Sequence, residues 1–419
     1  MNELKKVSIV YGATVVFSTA VGVGMTSLPI ISTGMWFTLS VAVIFLTALY
    51  IVLAGALLLE VNMKYPAGTG IHMMVHDLLG PKHAFLNDCM MLFNGFILLY
   101  AYLTVGSEAI QFYFNKVLSI DLNHSLAAIC FAILFGVIFY LPPLIISRFL
   151  TVFIALMLLS FLYISYVLAL NFDIKNAFTP AFASSRPEST SLFPYIFIAL
   201  PYFMAAMGFQ QTIPMLRELY NNDAVRVYKS ILLGITIVSV LYLVWLFVIM
   251  GAQSQSYMIT SLSSGESKLE NIVSTLSENN KVQALMYFFI QVAIVTSFIG
   301  VAKGLLDYLK DLCVTHYNLQ GIYPKLLVIL PPLVLSIFFP YGFLIGIGFA
   351  GLAGAIWGGF YPALMAIKSR KKIVGNAKDS TFETIGHSLS PKFTLFYSIL
   401  IVLVMLLSLF NLLPNYPNL

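Results

Sequence analysis

The chain has 419 residues, 60% of them hydrophobic and only 9% charged, with a formal net charge of +5 at pH 7. A soluble domain carries about 25% charged residues, so the composition excludes a soluble globular protein and calls for a polytopic membrane protein. The positive balance follows the Lys/Arg excess of cytoplasmic loops and implies no nucleic-acid partner.

Apolar runs fall near 8–34, 37–60, 84–115, 126–143, 149–170, 192–216, 230–252, 282–306, 326–340, 341–367 and 393–412, which makes eleven expected spans. No cleavable signal peptide is expected, because Lys5 and Lys6 lead straight into a full-length span. Pro340-Tyr-Gly342 reads as a tight external turn between spans nine and ten, since the run is too long for one helix. The stretches 172–191 and 253–281 read as external loops with room for short helices. With the N-terminus cytoplasmic, 16 Lys and Arg residues fall on the inner side and 5 on the outer, with Lys303 left inside a span. That bias puts the N-terminus in the cytoplasm and the C-terminus outside. Lys368–Lys372 reads as a topology anchor. Cys89, Cys130 and Cys313 match no metal spacing and no disulfide framework, and read as packing residues.

Span one carries Gly22-Val-Gly-Met-Thr-Ser-Leu-Pro29 at its centre. Gly and Pro weaken a helix by about 1 and 3 kcal/mol relative to Ala. Broken backbone at membrane depth persists only where it is buried in protein or lines a cavity. Span six repeats the pattern with Pro201, Gly208 and Pro214 around Gln210 and Gln211. Small residues packed against a neighbouring helix would read the same way in either span alone. Two such breaks five spans apart favour a solute site between inverted five-span repeats, with an eleventh span added.

In span eight, Thr296 and Ser297 offer adjacent hydroxyls that suit a hard cation or bond back to their own helix. Lys303 is the most costly residue in any span, at about 2.5–3.5 kcal/mol on insertion scales. It is either a coupling group or one half of an i,i+4 pair with Asp307. Glu108, in the outer part of span three, is either a proton carrier or a satisfied carboxylate. Glu60, beside a loop, reads as interfacial. The His residues do not cluster, and no nucleophile–base pair or metal set is present, so an enzyme is not expected and no cofactor is implied.

The chain resembles the hydroxy/aromatic amino acid permease family of the amino acid/polyamine/organocation superfamily, above all its tyrosine- and tryptophan-specific branch. The resemblance rests on the 22–29 break, Leu57-Leu-Leu-Glu-Val61 with Pro66-Ala-Gly-Thr-Gly70, Gly208-Phe209 with Ile213-Pro214, Ala293-Ile-Val-Thr-Ser-Phe-Ile-Gly300 with Leu305-Leu-Asp-Tyr-Leu309, and Leu330-Pro-Pro-Leu333. It implies an all-α, leucine-transporter-like fold with discontinuous helices one and six. The repeats would cover about 8–171 and 192–367, and the extra helix about 393–412, within one transporter domain. It further implies proton-coupled rather than sodium-coupled amino acid uptake across the bacterial inner membrane. By position, Gly22, Val23, Gly24 and Met25 form the unwound part of span one, and Gly208, Phe209, Gln210 and Gln211 that of span six, both around the substrate. Thr296 and Ser297 fall where sodium-coupled relatives hold a second cation. The chain departs from the aromatic branch in having Gln210-Gln211 where His-Gly is usual, and Lys303 where an apolar residue is usual. A serine/threonine permease of the same family and a non-transporting amino acid sensor are the competing readings. Gly208-Phe209 and Asp307-Tyr308 favour the aromatic branch, and the lack of a signalling domain disfavours a sensor.

Overall fold

A helix is the one open-ended structure that satisfies its whole backbone in lipid, and the computed structural model is built of helices. It describes residues 7–22, 24–179, 192–263, 273, 280–312, 321–371 and 382–413, among which there is no strand. Span one is two helices, Ile9–Ala20 and Gly24–Ser32, bent by 62°. Span two is Trp36–Asn62, span three Pro81–Leu118, span five Pro143–Ala169 and span seven Ala224–Ala252. Span six is Pro194–Met207, a 3₁₀ turn Gln210–Thr212, then Ile213–Leu219. Span eight is Asn280–Leu312, span ten Phe343–Lys371 and span eleven Leu389–Leu409. Spans four (His124–Gly136 with a 3₁₀ turn Val137–Tyr140) and nine (Tyr323–Phe338) are apolar but shorter than the ~20 residues a bilayer needs. The turn at 340–342 and short helices in the stretches after spans five and seven, Ile174–Phe178 and Gln255–Ser263, are present.

Packing partners repeat when five is added to the span number. One on seven is matched by six on two, three on four by eight on nine, and three on ten by eight on five. The pairs one–six, two–seven, three–eight and four–nine map onto themselves. Because five is odd, the second set of spans starts on the opposite face from the first, so the repeat is inverted. Span eleven lies outside this scheme, against spans two and ten.

Two expectations change. Pro29 and Pro201 stay inside helices, and the breaks fall between Ala20 and Gly24 and at Gly208. In span six the new helix begins with Pro214 in its first turn, where a missing N–H costs nothing. Glu60 is held by protein partners rather than left at a solvated helix end. It is fully buried and takes both arms of Arg370 at 2.7 Å, plus the Thr384 N–H at 2.9 Å. A bidentate charge pair of this kind is strong where it is desolvated, and it joins the end of span two to the end of span ten. Beside it, Lys64 Nζ donates to Ser369 at 3.2 Å, and burial holds its ammonium below the ordinary lysine range. Cys130 is exposed on span four rather than packed, Cys89 is half-buried, and Cys313 lies outside the described residues.

Small residues set the close contacts, as in membrane helices generally. An added Cβ on Gly351 of span ten would collide with the Pro201 carbonyl of span six. One on Gly234 of span seven would lie 2.7 Å from Val16 of span one.

Candidate functional site

The two breaks meet at one cleft of about 610 Å³, its open mouth included. Gly22 and Gly24 border it from span one, and Ala206, Gly208, Gln210 and Gln211 from span six. Ser297 and Val301 come from span eight, Asn94 and Tyr102 from span three, and Ile347 and Trp357 from span ten.

Glycine makes the convergence possible. A Cβ on Gly22 would collide with Ser297 Oγ, and one on Gly24 would sit 3.3 Å from Ala206 Cα. The helix Gly24–Ser32 therefore starts at the cleft, and Pro194–Met207 ends there. The first presents N–H groups and positive dipole, the second the carbonyls of its last turn. Tyr242 of span seven holds both breaks: its hydroxyl lies 2.6 Å from Ala206 O and 3.2 Å from Ala20 O.

The cleft opens towards the face that carries the N-terminus. Met91 and Gly95 of span three and Gly300, Gly304 and Tyr308 of span eight continue it. Gly300 and Gly304 are exposed, and a Cβ added at either meets nothing within 4 Å. The other face is shut. Residues Met25–Ser32 are all buried, Gln255 Nε2 donates to Thr33 O at 2.8 Å, and Trp36 Nε1 donates to Asn176 O at 2.7 Å.

Of the residues singled out in the sequence, Gly22, Gly24, Gly208, Gln210, Gln211 and Ser297 border the cleft. Val23 lies outside the described residues. Met25 is fully buried behind the break. Phe209 is a correction: it is fully buried and faces span two, its Cζ 2.6 Å from where a Cβ on Gly55 would be. Thr296 donates back to Ala293 O at 2.9 Å. The Lys303–Asp307 pair is also corrected. Asp307 is exposed and pairs with Lys310 at 3.3 Å, and Lys303 has no ion-pair partner among the described residues. At 3.6 residues per turn Lys303 points roughly 80° away from the middle of the Gly300–Gly304 stripe, onto the Thr296 face. Glu108 is half-buried about 9 Å further along span three than Tyr102 and does not border the cleft.

Asn94, Tyr102, Trp357 and Tyr242 were not singled out in the sequence. Asn94 had a signal, as a lone amide in an apolar run. Trp357 had one too, in the adjacent Gly358-Gly359 and the nearby Pro362. Pro362 has no N–H to give the Gly358 carbonyl, and span ten takes a π turn at Ile356–Phe360, with Tyr361 N–H bonding Ile356 O. Such turns recur at functional sites.

The comparisons with known proteins agree with this geometry. The model of the tryptophan/tyrosine permease family matches residues 5–405. The chain is 32% identical to the "Low affinity tryptophan permease" of Escherichia coli (strain K12) over 98% of both chains. It is 32% identical to the "Tryptophan-specific transport protein" of Haemophilus influenzae over 96% of both. Among solved structures it resembles the "Inward facing conformation of Mhp1", with a TM-score of 0.63 at 14% identity, over 96% of this chain and 91% of that one. That likeness shows the leucine-transporter-like fold. A match along nearly the whole length, with both helix breaks inside it, means that the chain belongs to the tryptophan/tyrosine permease family.

Proposed function

We propose that this protein is a secondary transporter that imports an aromatic amino acid together with a proton by alternating access. The observation that carries the reading is the meeting of two half-helix ends of opposite dipole at one cleft. A zwitterion fits that arrangement. Its carboxylate goes to the N–H end at Gly22–Met25, including Val23, and its ammonium to the last-turn carbonyls before Gly208. Gln210 and Gln211 complete the span-six side. The side chain then extends towards Tyr102, Ile347 and Trp357, an aromatic and aliphatic wall. The relatives' names, which specify tryptophan, support an aromatic side chain over serine or threonine.

The basic N-terminal face is the cytoplasmic one, so the cleft is open inward and the C-terminus is periplasmic, in the bacterial inner membrane. The repeats are taken as about 8–171 and 192–367. Coupling is to protons. Lys303, a half-buried cation with no described carboxylate partner, stands in for a bound cation beside Thr296 and Ser297. Uptake into proteoliposomes of labelled tyrosine, tryptophan, phenylalanine, leucine, serine and threonine tests the proposal. Accumulation of an aromatic substrate under an imposed proton gradient without sodium is the expected result. Preferential uptake of serine or threonine, or no uptake, would overturn it.

A further inference from the structure

Spans four and nine run antiparallel on the outside of the bundle. At one end His124 Nε2 lies 3.3 Å from Ser336 Oγ. At the other, on the face that carries the N-terminus, the Lys325 ammonium sits 3.4 Å from the centre of the Tyr140 ring. A groove runs between the two helices over that second half of the pair. Ile129, Ile133 and Tyr140 line it from span four, and Lys325, Leu330 and Leu333 from span nine. On each helix the lining residues recur every three or four positions and form a single stripe. Gly136 brings the helices together at the floor, where a Cβ would lie 3.1 Å from Ile329 Cδ1. Ile133, Tyr140 and Leu330 are exposed, so the groove opens outward, where lipid lies.

Its length and its charge both point to one kind of occupant. From Ile129 to Tyr140, and from Leu333 back to Ile322, each wall covers about 16 Å of helix. That is about half of the ~30 Å hydrocarbon core, the depth of one leaflet. Apart from Lys325 and the Tyr140 hydroxyl, the lining is wholly apolar. Lys325 lies in the first turn of span nine, where the helix dipole already contributes positive charge. Among the described residues no carboxylate pairs with it. Span nine has 16 residues, about 24 Å, so the bilayer must thin locally to meet its ends. Headgroups are thereby drawn towards Lys325. A helix from a second copy of the chain fits less well. It would cover the lysine without supplying an anion, and it would need the half of the pair where His124 and Ser336 meet.

We propose that this groove binds an anionic phospholipid of the leaflet on the N-terminal side, with one acyl chain along the groove and the phosphate on Lys325. The Tyr140 ring fixes the ammonium at the groove mouth, and its hydroxyl can donate to the same headgroup. The test is native mass spectrometry of the full-length protein in detergent, titrated with dioleoyl phosphatidylglycerol and with dioleoyl phosphatidylcholine. The wild type should bind its first phosphatidylglycerol about fivefold more tightly than its first phosphatidylcholine, the worth of one lysine at an anionic surface. Lys325→Gln should bring that ratio close to one and leave phosphatidylcholine binding unchanged. Lys310→Gln, on the same face, should keep the wild-type ratio. Ile133→Trp, which fills the groove, should lose the first equivalent of both lipids. Equal affinity for the two lipids in the wild type overturns the proposal, as does a preference that survives Lys325→Gln or Ile133→Trp. Dimers that Ile133→Trp abolishes and lipid does not displace overturn it in favour of a second copy. The wild-type ratio is decisive even where a variant does not fold. None of these outcomes bears on transport, so the reading of the cleft stands or falls separately.

Discussion

At the scale of single residues, the roles are divided differently from what residue type suggests. Phe209 is next to the span-six break, yet it fills the space left by Gly55. Phe209→Ala should therefore destabilise the protein by about 3–5 kcal/mol, as a buried cavity does, and change substrate affinity in the surviving protein by less than threefold. Thermal unfolding in detergent and competition binding measure the two effects separately. Tyr242 is far from any sequence motif and touches the last carbonyls of both broken helices. Tyr242→Phe removes one hydroxyl and little volume. The expected loss is that of a net hydrogen bond, about 0.5–1.5 kcal/mol, read as a three- to tenfold weaker apparent affinity with near-normal expression. Lys303 belongs to this scale too. Lys303→Met should retain substrate exchange but lose accumulation driven by a pH gradient. Asp307→Asn should be mild, because Asp307 is exposed and paired with Lys310. Equal damage from both substitutions would return Lys303 to a structural role.

At the scale of elements, the site is made by helix ends rather than by side chains. The half-helix Gly24–Ser32 is nine residues long and wholly buried after its first residue. Its N-terminus points at the cleft. Gly24 permits this by lying against Ala206 at 3.3–3.4 Å. Gly24→Leu should force spans one and six apart and abolish uptake while the protein still reaches the membrane. Uptake at the wild-type rate would remove this helix end from the site. The π turn in span ten has a comparable role. It turns Trp357 into the cleft while Gly359 lets Tyr50 of span two and Ser398 of span eleven, themselves 2.9 Å apart, pass close behind.

At the scale of the whole molecule, one face is open and the other closed, and this asymmetry is itself testable. Gly304 lines the open passage with no neighbour near its missing side chain, so Gly304→Cys should be structurally silent. In a background with Cys89, Cys130 and Cys313 replaced by serine, a membrane-impermeant thiol reagent should label it in inside-out vesicles and not in right-side-out ones. Saturating substrate should slow the labelling. Labelling from the periplasmic side would reverse the orientation inferred from the Lys and Arg residues.

The amino-acid sequence by itself determined the membrane class, the eleven apolar runs, the pairing of the interrupted spans one and six, and the family resemblance. These are all written in local composition and spacing, which hydropathy and helix-breaking residues report directly. Gly22, Gly24, Gly208 and Gln210 were legible for the same reason. Tertiary structure alone decided where the breaks fall, since a proline inside a packed helix is tolerated and the glycines at a close contact are not free to move. It also decided that Phe209 faces away from the cleft, that Asp307 pairs with Lys310, and that Glu60 is buried against Arg370. Each of these depends on which face of a helix meets which neighbour. Trp357, Asn94 and Tyr242 reach the site from spans ten, three and seven, and chain order holds no record of that convergence.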